Sequence, residues 1–420
     1  MRSKSILILA GEASGDHHAA ALVRDLKERD PYLQITGIGG DKLADAGMKL
    51  LHHYHEINTI ALTEGLGKVR NIFAAYNTMK RELAHGGHDL FIPVDFPDVN
   101  IRLCRKARQA GVPVCYYISP QVWAWRRGRI RKIGRRVDRM MTIFPFEERL
   151  YREAGIKADF VGHTMVRDIP ETVDRTKVRK EFGLDGSSHV VALVPGSRPA
   201  EIRRMLPVMC RAAEQFSESF PEAAFVLPVA GPHLQGLVRE ILKSHGISVT
   251  VLSAEAPQVM AAADTGLVTS GTATLQATLV GMPHVLVYKV DPFTWWLGLK
   301  VIKPLLMSKD VHLGIANVLA IEEEKLGGPI WELRDAGVRI PCQECGRSLL
   351  VPEVLQEAAT PEGLAQWLVR FRTDDTLRSA TLKAYQQVRS MLLPRHDGQT
   401  AARIVLSMLA ESNAPAASPS

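Results

Sequence analysis

The chain has 420 residues, which favours two domains because a single hydrophobic core stops growing at about 250–300 residues. Apolar residues make up 46% of it and charged residues 23%, proportions that exclude a disordered or fibrous protein. A net charge of +7 favours anionic partners, which include nucleic acid, phosphorylated small molecules and an anionic bilayer surface.

The cysteine content and the apolar runs indicate a cytoplasmic protein. Five cysteines are an odd number and are spread along the chain, which argues against a secreted disulfide framework and for a reducing compartment. The apolar run before Gly11 is about six residues, shorter than the apolar core of a signal peptide, so no export is expected. No run of about 18 apolar residues occurs that would span a membrane.

Short apolar runs alternate with helical stretches along both halves of the chain. This rhythm is typical of a doubly wound parallel α/β sheet. A polar segment, residues 168–185, separates the two halves and is expected to be the crossing between domains. The predicted strands cover residues 6–9, 35–38, 90–94, 112–118 and 140–144 in the first half, and 190–194, 224–229, 248–252, 265–268 and 284–288 in the second.

The first predicted strand is followed by a loop of small residues, 11–16, and then by apolar residues at helical spacing. Loops of this kind often bind phosphate, but neither G-x-G-x-x-G nor G-x-x-x-x-G-K-[ST] is present. The polar groups of the loop include Glu12, Ser14 and Asp16. Two carboxylates repel a phosphate, so a neutral, hydroxyl-rich or cationic ligand is favoured.

Two carboxylates and an amide, Asp95, Asp98 and Asn100, follow the strand predicted over residues 90–94. A carboxylate at the carboxyl end of a parallel strand is well placed to act as a general base. Asp98 has a second interpretation, because an aspartate there caps a helix that begins at Val99. Asp95 has no such alternative and is the predicted catalytic residue.

Two loops of the second half are predicted to bind a diphosphate. Residues 195–198 read Pro-Gly-Ser-Arg between a strand and a helix from about Pro199, so backbone N–H groups and the Arg198 guanidinium meet there. Residues 270–272, Ser-Gly-Thr, have the same position after the strand at 265–268. Taken alone, the Ser-Gly-Thr loop is equally typical of a helix cap.

Basic and aromatic residues indicate a possible lipid or phosphate surface. Residues 126–139 contain eight Lys and Arg side chains, with Ile130, Ile133 and Val137 on one helical face. The pattern indicates either an amphipathic helix with a solvated basic side or a surface for a phosphorylated or membrane-bound ligand. A Trp-Trp pair lies in a second apolar segment, residues 291–306, which is either a buried helix or an acyl-chain contact. The residues predicted to contact acyl chains, the bilayer or phosphate are Trp123, Trp125, Arg126, Arg127, Arg129, Trp295 and Trp296.

No metal site is predicted. Cys342 and Cys345 form one pair without the second pair that a structural zinc site needs, and we interpret them as structural or incidental. The spacing of His17, His18, His52, His53 and His55 matches no helix-borne ligand pair. No Asp-x-Asp motif is present near the proposed site to support metal-assisted binding of a nucleotide diphosphate.

Ordered motifs along nearly the whole chain resemble those of the lipid-A-disaccharide synthases, glycosyltransferases with two Rossmann-like domains (the GT-B type). The motifs lie between residue 6 and about residue 370, so the resemblance covers most of the sequence. They read GEASGD at 11–16, GIGG at 37–40, DFPDVN at 95–100, YISPQVWAWR at 117–126, FPFE at 144–147, VGH at 161–163, PGSR at 195–198, SGTATL at 270–275 and VPEVLQ at 351–356.

The resemblance implies an α/β fold in which two parallel-sheet domains face a cleft. Residues 1–170 are then an acceptor-binding and catalytic domain, and residues 171–360 a UDP-sugar domain with an insertion at about 321–346. Residues 361–412 are expected to be C-terminal helices that pack back on the N-terminal domain. Residues 413–420 are expected to be a disordered tail.

The implied reaction is transfer of the sugar of UDP-2,3-diacylglucosamine to the 6-hydroxyl of 2,3-diacylglucosamine 1-phosphate (lipid X), without a metal or cofactor. Asp95 then looks like the general base of an inverting attack, and the acceptor side carries Glu12, Ser14, Asp16, Asp98 and Asn100. The implied UDP-sugar residues are Gly196, Ser197, Arg198, Ser270, Gly271, Thr272, Gln276 and Asn317. Gln276 stands where the family usually has glutamate, and the residues around Asn317 also depart from the family pattern.

The resemblance also implies a cytoplasmic protein that associates peripherally with the inner membrane and forms a homodimer. Another UDP-N-acetylglucosamine transferase or an epimerase of the same fold is the alternative enzyme, and an epimerase needs no acceptor. A non-catalytic nucleic-acid binder is the alternative from another class. It leaves Asp95, Glu12 and the Ser-Gly-Thr loop unexplained, so no nucleic acid is expected as a partner.

Overall fold

The computed structural model describes residues 3–58, 65–122, 130–291, 312–325, 340, 348–394 and 400–411. The chain forms two compact units. The first comprises Met1–Thr164 with Leu392–Ser420, and the second comprises Met165–Met391. Each unit is built around one sheet whose strands are all parallel.

The sheet of the first unit has seven strands in the order β3-β2-β1-β4-β5-β6-β7. The central strands are apolar and buried over Ile6–Ala10 of β1 and along the whole of β4, as expected for a parallel sheet that is covered on both faces. The strands are β1 (Ser5–Ala10), β2 (Gln34–Gly39), β3 (Lys49–His53), β4 (Leu90–Val94), β5 (Cys115–Tyr117), β6 (Arg139–Thr142) and β7 (Ala158–Phe160).

The sheet of the second unit has six strands in the order β10-β9-β8-β11-β12-β13. Every residue of β8 and β11 is buried, so these two neighbouring strands form the centre of this unit. The strands are β8 (His189–Val194), β9 (Ala223–Pro228), β10 (Val249–Leu252), β11 (Thr265–Thr269), β12 (His284–Tyr288) and β13 (Glu353–Leu355).

Helices connect the strands in both units. In chain order the α-helices of the described residues are α1 (Ala13–Arg29), α2 (Asp41–Asp45), α3 (His55–Asn58), α4 (Gly65–His85), α5 (Pro97–Gln109), α6 (Ile130–Gly134), α7 (Pro145–Glu153), α8 (Met165–Asp168), α9 (Arg175–Glu181), α10 (Pro199–Ser219), α11 (Gln235–Leu242), α12 (Ala256–Ala262), α13 (Thr272–Leu279), α14 (Ile315–Lys325), α15 (Pro361–Thr373), α16 (Asp375–Leu392) and α17 (Ala401–Glu411). Short 3₁₀ turns cover Pro232–Leu234 and Gln356–Ala358.

The two parallel sheets confirm the predicted α/β fold with two Rossmann-like halves. Each predicted strand has a counterpart, with ends that differ by a few residues. Three strands were not predicted, and each of them is an edge strand: β3, β7 and β13. They are short or polar because an edge strand has a neighbour on one side only, so the search for apolar runs misses them.

The predicted domain boundaries need two corrections. The first unit ends at Thr164, so α8 and the first part of the polar segment 168–185 already belong to the second unit. Residues 361–391 also belong to the second unit, where α15 packs along α10. Of the C-terminal helices, α17 alone lies wholly in the first unit, against α1. The predicted tail at 413–420 lies outside the described residues.

The described part of the basic stretch is helical over Ile130–Gly134 only. In the described part of it, α6 ends at Gly134, and Ile130, Ile133 and Val137 are buried as the pattern indicated. Two of its cations bind within the protein, because Arg136 Nη1 donates to the Ile101 carbonyl at 3.0 Å and Arg139 forms an ion pair with a carboxylate of β7 at 2.7 Å. Both of these arginines thus have partners within the first unit.

Several predictions fall outside the described residues. They concern the residues assigned to lipid or phosphate contact and most of the insertion at 321–346, of which α14 covers the start. No helix in the described part of the chain is long and apolar enough to cross a membrane. The residues concerned are Trp123, Trp125, Arg126, Arg127, Arg129, Trp295, Trp296, Cys342 and Cys345.

Candidate active site

The strand order of each sheet reverses at one position. In the first sheet this position lies between β1 and β4, and in the second between β8 and β11. Ligands of open α/β sheets bind outside the carboxyl ends of the strands at such a reversal. The loops that follow these four strands carry the motifs at residues 11–16, 95–100, 195–198 and 270–272. Within each unit, the structure thus brings the two predicted loops side by side.

In the first unit, the loop after β1 lies against the loop after β4. The ring of Phe96 covers Gly11 so closely that a Cβ added to Gly11 would lie 2.5 Å from Phe96 Cδ1. A residue larger than glycine would push the two loops apart. Glu12 and Ser14 are exposed at the N-terminal end of α1, as expected for side chains that meet a ligand.

Asp16 differs from these exposed residues, and its place on the acceptor side stays a prediction. It is buried, and its Oδ1 accepts hydrogen bonds from the N–H groups of Gly40 at 2.6 Å and Leu43 at 3.3 Å. Its Oδ2 accepts one from the Lys42 N–H at 3.2 Å. A carboxylate is suited to this position because the first N–H groups of α2 have no partner within the helix.

Asp95 follows β4 in a conformation that is rare for residues with a side chain. Its φ is 44° and that of Phe96 is 45°, both in the left-handed region. Ile118, at the end of the neighbouring β5, has a φ of 63°. Each such conformation costs on the order of 1–3 kcal/mol and persists only where the surrounding structure enforces it. Backbone strain is thus concentrated at the edge of the sheet where catalysis was predicted.

The Asp95 carboxyl group is half-buried and binds its proton more tightly than a free aspartate does. Burial, the larger cause, and the negative charge of Glu12 together raise its pKa from 3.8 to about 6. A hydrogen bond from the Phe96 N–H acts against the increase. Above about pH 6 the group is therefore an ionised carboxylate of unusual basicity, which suits a general base.

The side chain of Asn100 binds the backbone, and its place on the acceptor side stays a prediction. It is fully buried, and its Nδ2 donates to the carbonyl oxygens of Val94 at 3.2 Å and Asp95 at 2.7 Å. Its Oδ1 is buried without a hydrogen-bond partner among the described residues. Both carbonyls accept only, so the amide must face them with its nitrogen.

Asp98 is exposed in the first turn of α5. The helix begins at Pro97 with Phe96 as its N-cap, and no side chain caps it. The interpretation of Asp98 as the cap of a helix from Val99 is therefore wrong. Its carboxylate still lies at the positive end of the helix dipole, on the same loop as Asp95.

In the second unit, a carboxylate already binds the groups that were predicted to bind a diphosphate. Gly196, with a φ of 113°, turns the chain so that the N–H groups of Ser197 and Arg198 face Glu201. Glu201 Oε2 accepts from them at 3.1 and 3.2 Å, and its Oε1 accepts from Arg198 Nη1 at 3.1 Å. The Arg198 side chain is 80% exposed. A phosphate uses the same combination of N–H groups and guanidinium.

The Ser-Gly-Thr loop presents its polar groups at the start of α13. Gly271 has a φ of 131° and is the N-cap of the helix, which no side chain caps. Gly271 and Thr272 are exposed, and Ser270 is half-buried. The loop thus provides the N-cap residue of α13, as the helix-cap alternative expects, and its predicted role in binding a diphosphate stays a prediction. Gln276 lies one turn further along α13 and is half-buried.

Asn317, which is predicted to bind the UDP-sugar, makes four hydrogen bonds inside the second unit. It is fully buried, and its Oδ1 accepts from the N–H groups of Leu350 at 2.8 Å and Val351 at 2.9 Å. Its Nδ2 donates to the Val351 carbonyl at 2.9 Å and to Glu353 Oε1 at 2.8 Å. Both polar atoms are engaged in these hydrogen bonds, and the role of Asn317 in the UDP-sugar pocket stays a prediction.

Two residues of the site have no counterpart among the predictions. The sequence could have indicated the contact of Glu201 with this loop, because Arg198-x-x-Glu201 has the spacing of a capping box. Tyr116 donates from its Oη to the Asp95 carbonyl at 2.6 Å. No pattern in the sequence indicates this contact, because a tyrosine on an apolar strand is expected to be an ordinary core residue. Among the side chains that the structure describes, no group of three or more His, Cys, Asp or Glu could hold a metal ion.

Comparison with known proteins identifies similar sequences over nearly the full chain. The sequence model of the lipid-A-disaccharide synthetase family matches residues 6–324. The lipid-A-disaccharide synthase of Geobacter sulfurreducens is 37% identical over 407 residues, which are 97% of this chain and 98% of that protein. The enzyme of the same name from Myxococcus xanthus is 38% identical over 404 residues, 96% of this chain and 97% of that protein.

Solved structures of lower identity share the fold. A UDP-GlcNAc 2-epimerase from Neisseria meningitidis, bound to UDP-GlcNAc, has a TM-score of 0.57 at 12% identity and covers 98% of this chain and 100% of its own. CalG4, the calicheamicin glycosyltransferase, has a TM-score of 0.56 at 14% identity, with 99% and 100% covered. These similarities establish the GT-B architecture of two Rossmann-like domains.

The bracing role of Asn317 predicts a stability effect. We expect Asn317→Ala to lower the free energy of unfolding by about 2–4 kcal/mol, because it leaves the buried N–H groups of Leu350 and Val351 without acceptors. Urea denaturation measures the change, with Gln276→Ala as a control that loses an amide of the same unit from a half-buried position. Unchanged stability together with weaker UDP binding would instead support a role of Asn317 in binding UDP.

Proposed function

This chain belongs to the lipid-A-disaccharide synthase family and is a glycosyltransferase of lipid A biosynthesis; on that premise we propose that it joins UDP-2,3-diacylglucosamine to 2,3-diacylglucosamine 1-phosphate. The products are lipid A disaccharide 1-phosphate and UDP. The observation that carries the proposal is Asp95, a half-buried carboxylate of raised pKa at the strand reversal of the first sheet. A glycosyl transfer to a hydroxyl group needs a base of this kind.

The proposed chemical step is a single displacement at C1 of the donor sugar. The oxygen of the acceptor 6-hydroxyl attacks C1 from the face opposite UDP. As it does so, the Asp95 carboxylate takes the proton of that hydroxyl. The bond between C1 and the β-phosphate oxygen breaks, and its electron pair leaves with UDP. One bond forms and one breaks at C1 on opposite faces, so the configuration inverts. The proton ends on Asp95 and returns to solvent.

The second unit supplies the donor side of the proposal. UDP leaves with an additional negative charge on its β-phosphate, and that charge must be stabilised as it develops. The exposed guanidinium of Arg198 and the N–H groups at the start of α10 and α13 are suited to this, with Ser197, Gly271 and Thr272 close to the phosphates. The proposal assigns this stabilisation to these groups and includes no metal or cofactor.

The loop after β1 supplies the acceptor side. Glu12 and Ser14 offer a carboxylate and a hydroxyl to the hydroxyl groups of the acceptor sugar, next to Asp95. Glu12 also increases the basicity of Asp95 through its charge. Association with the inner-membrane surface and formation of a homodimer stay predictions from the resemblance, as does the cytoplasmic location.

The proposed reaction is tested by the UDP that the purified protein releases. We expect UDP from UDP-2,3-diacylglucosamine only when 2,3-diacylglucosamine 1-phosphate is present. We expect Asp95→Asn to lower kcat by roughly 100-fold or more, because the amide cannot accept the proton. UDP that appears equally without acceptor would contradict the proposal and favour hydrolysis. Conversion of the nucleotide sugar without acceptor-dependent release of UDP would favour an epimerase.

The unfolding free energy of the same variant serves as the control for its fold. The pKa of Asp95 is raised on folding, so protonated Asp95 stabilises the fold below about pH 4 and that contribution is lost as the pH rises through about 6. At pH 8 we therefore expect the free energy of unfolding of Asp95→Asn to exceed that of the wild type by about 1–2 kcal/mol. An inactive variant of lower stability would leave the base assignment without support.

The charge of Glu12 predicts a shift in the pH profile. We expect kcat/KM of the wild type to fall below about pH 6, where Asp95 becomes protonated. Glu12→Gln removes a neighbouring negative charge, lowers the pKa of Asp95, and moves this acid limb down by on the order of 0.5–1 pH unit. Glu12→Asp keeps the charge and is the matched control. An unmoved limb in Glu12→Gln would exclude the electrostatic role of Glu12.

The carboxylate of Glu201 predicts an effect on UDP affinity. It must leave the N–H groups of Ser197 and Arg198 before a phosphate can use them, so Glu201→Gln should bind UDP about two- to tenfold more tightly. Isothermal calorimetry with UDP measures this. Glu218→Gln, at the exposed far end of α10, makes the same change in net charge and is the control. Weaker UDP binding by Glu201→Gln would instead assign Glu201 to holding the loop for the phosphate.

A further inference from the structure

We propose that Tyr116 and Asn100 are positioning residues for Asp95, which they hold in its reactive conformation through its main-chain carbonyl. The inference rests on the proposed function and adds two residues to it that do not touch the substrates. Both are fully buried, and they lie on different elements, Tyr116 on β5 and Asn100 on α5. Their side chains converge on one oxygen atom.

The Asp95 carbonyl accepts two hydrogen bonds from these side chains. Tyr116 Oη donates at 2.6 Å and Asn100 Nδ2 at 2.7 Å, so both lone pairs of the oxygen are used. The phenol is kept as a donor, because burial raises the pKa of Tyr116 well above its usual value. The orientation of the peptide group that follows Asp95 is thereby set from two directions.

The peptide group that precedes Asp95 is held as well. The Asp95 N–H donates to the Tyr117 carbonyl at 3.0 Å, a bond that continues the pairing of β4 with β5. With the peptide groups on both sides held, the backbone torsions of Asp95 have little freedom. They are held in the left-handed region, which two consecutive side-chain-bearing residues rarely adopt. The hydrogen bonds explain how this conformation persists.

The carboxylate depends on the backbone for its position. Its one hydrogen bond among the described residues comes from the N–H of the next residue, Phe96. No side chain of the described residues donates to it, so the direction of the Cα–Cβ bond decides where the carboxylate lies. A shift of the backbone would move the base away from the acceptor hydroxyl, and small misplacements of this kind slow reactions strongly.

The amide of Asn100 supports a positioning role over a merely structural one. Its nitrogen faces the carbonyls of Val94 and Asp95, and its Oδ1 is left buried without a partner among the described residues. An apolar side chain would fill this space without that cost. Asn100 therefore provides a hydrogen bond to the Asp95 carbonyl although this lowers the stability of the unit.

The test compares two tyrosines of the same core. Tyr116→Phe removes the hydrogen bond to Asp95 and keeps the ring. Tyr151→Phe is the matched control, because Tyr151 is also fully buried in the core of the first unit and its hydroxyl lies 3.5 Å from the Pro120 carbonyl. Acceptor-dependent release of UDP gives kcat and KM, and thermal unfolding gives the stability of each variant.

We expect Tyr116→Phe to lower kcat about five- to tenfold with KM for the UDP-sugar unchanged, and Tyr151→Phe to keep kcat within twofold of the wild type. Thermal midpoints that fall equally in the two variants, with kcat lost only in Tyr116→Phe, would support positioning. A kcat of Tyr116→Phe equal to that of Tyr151→Phe, in an active wild type, would overturn this inference alone. A wild type without acceptor-dependent UDP release would overturn the proposed function and this inference with it.

Discussion

Parallel pairing of β1 with β4 is the constraint on which the chemistry of the first unit depends. It places the carboxyl ends of two strands side by side, although about 80 residues separate them in the chain. The loop that carries Glu12 therefore meets the loop that carries Asp95, and the charge of one raises the basicity of the other. The same arrangement of β8 and β11 places the two candidate phosphate-binding loops together in the second unit.

The candidate base is held in a state that the fold would not adopt for stability alone. Its backbone is left-handed at two consecutive residues, its ionised form is disfavoured by burial, and a buried amide oxygen beside it has no partner among the described residues. Each feature opposes folding by an amount that a sheet buried on both faces can offset. A relaxed and solvated aspartate would be easier to place but would be a weaker base.

The two units differ in the charge that they present at their strand reversals. The first offers carboxylates, which suit hydroxyl groups and repel phosphate. The second offers N–H groups, glycines with positive φ, and a guanidinium, and Glu201 covers part of this surface. A carboxylate and a phosphate are alternative partners for the same donors, and in this structure the acidic side chain of Glu201 binds them. The proposed function assigns the acceptor to the first unit and the nucleotide to the second on this difference in charge.

The sequence by itself determined the two parallel sheets, the loops at their reversals and Asp95 as the candidate base. These features follow from local patterns, because buried strands read as apolar runs and loops at their ends keep their motifs contiguous. Only the tertiary structure decided what Asp16, Asn100 and Asn317 do, since a polar residue in a motif can face a ligand or a backbone N–H group and its neighbours in space make the difference. Tyr116 is the clearest case: nothing near it in the chain sets it apart, and its hydrogen bond to Asp95 exists only because β4 and β5 are adjacent.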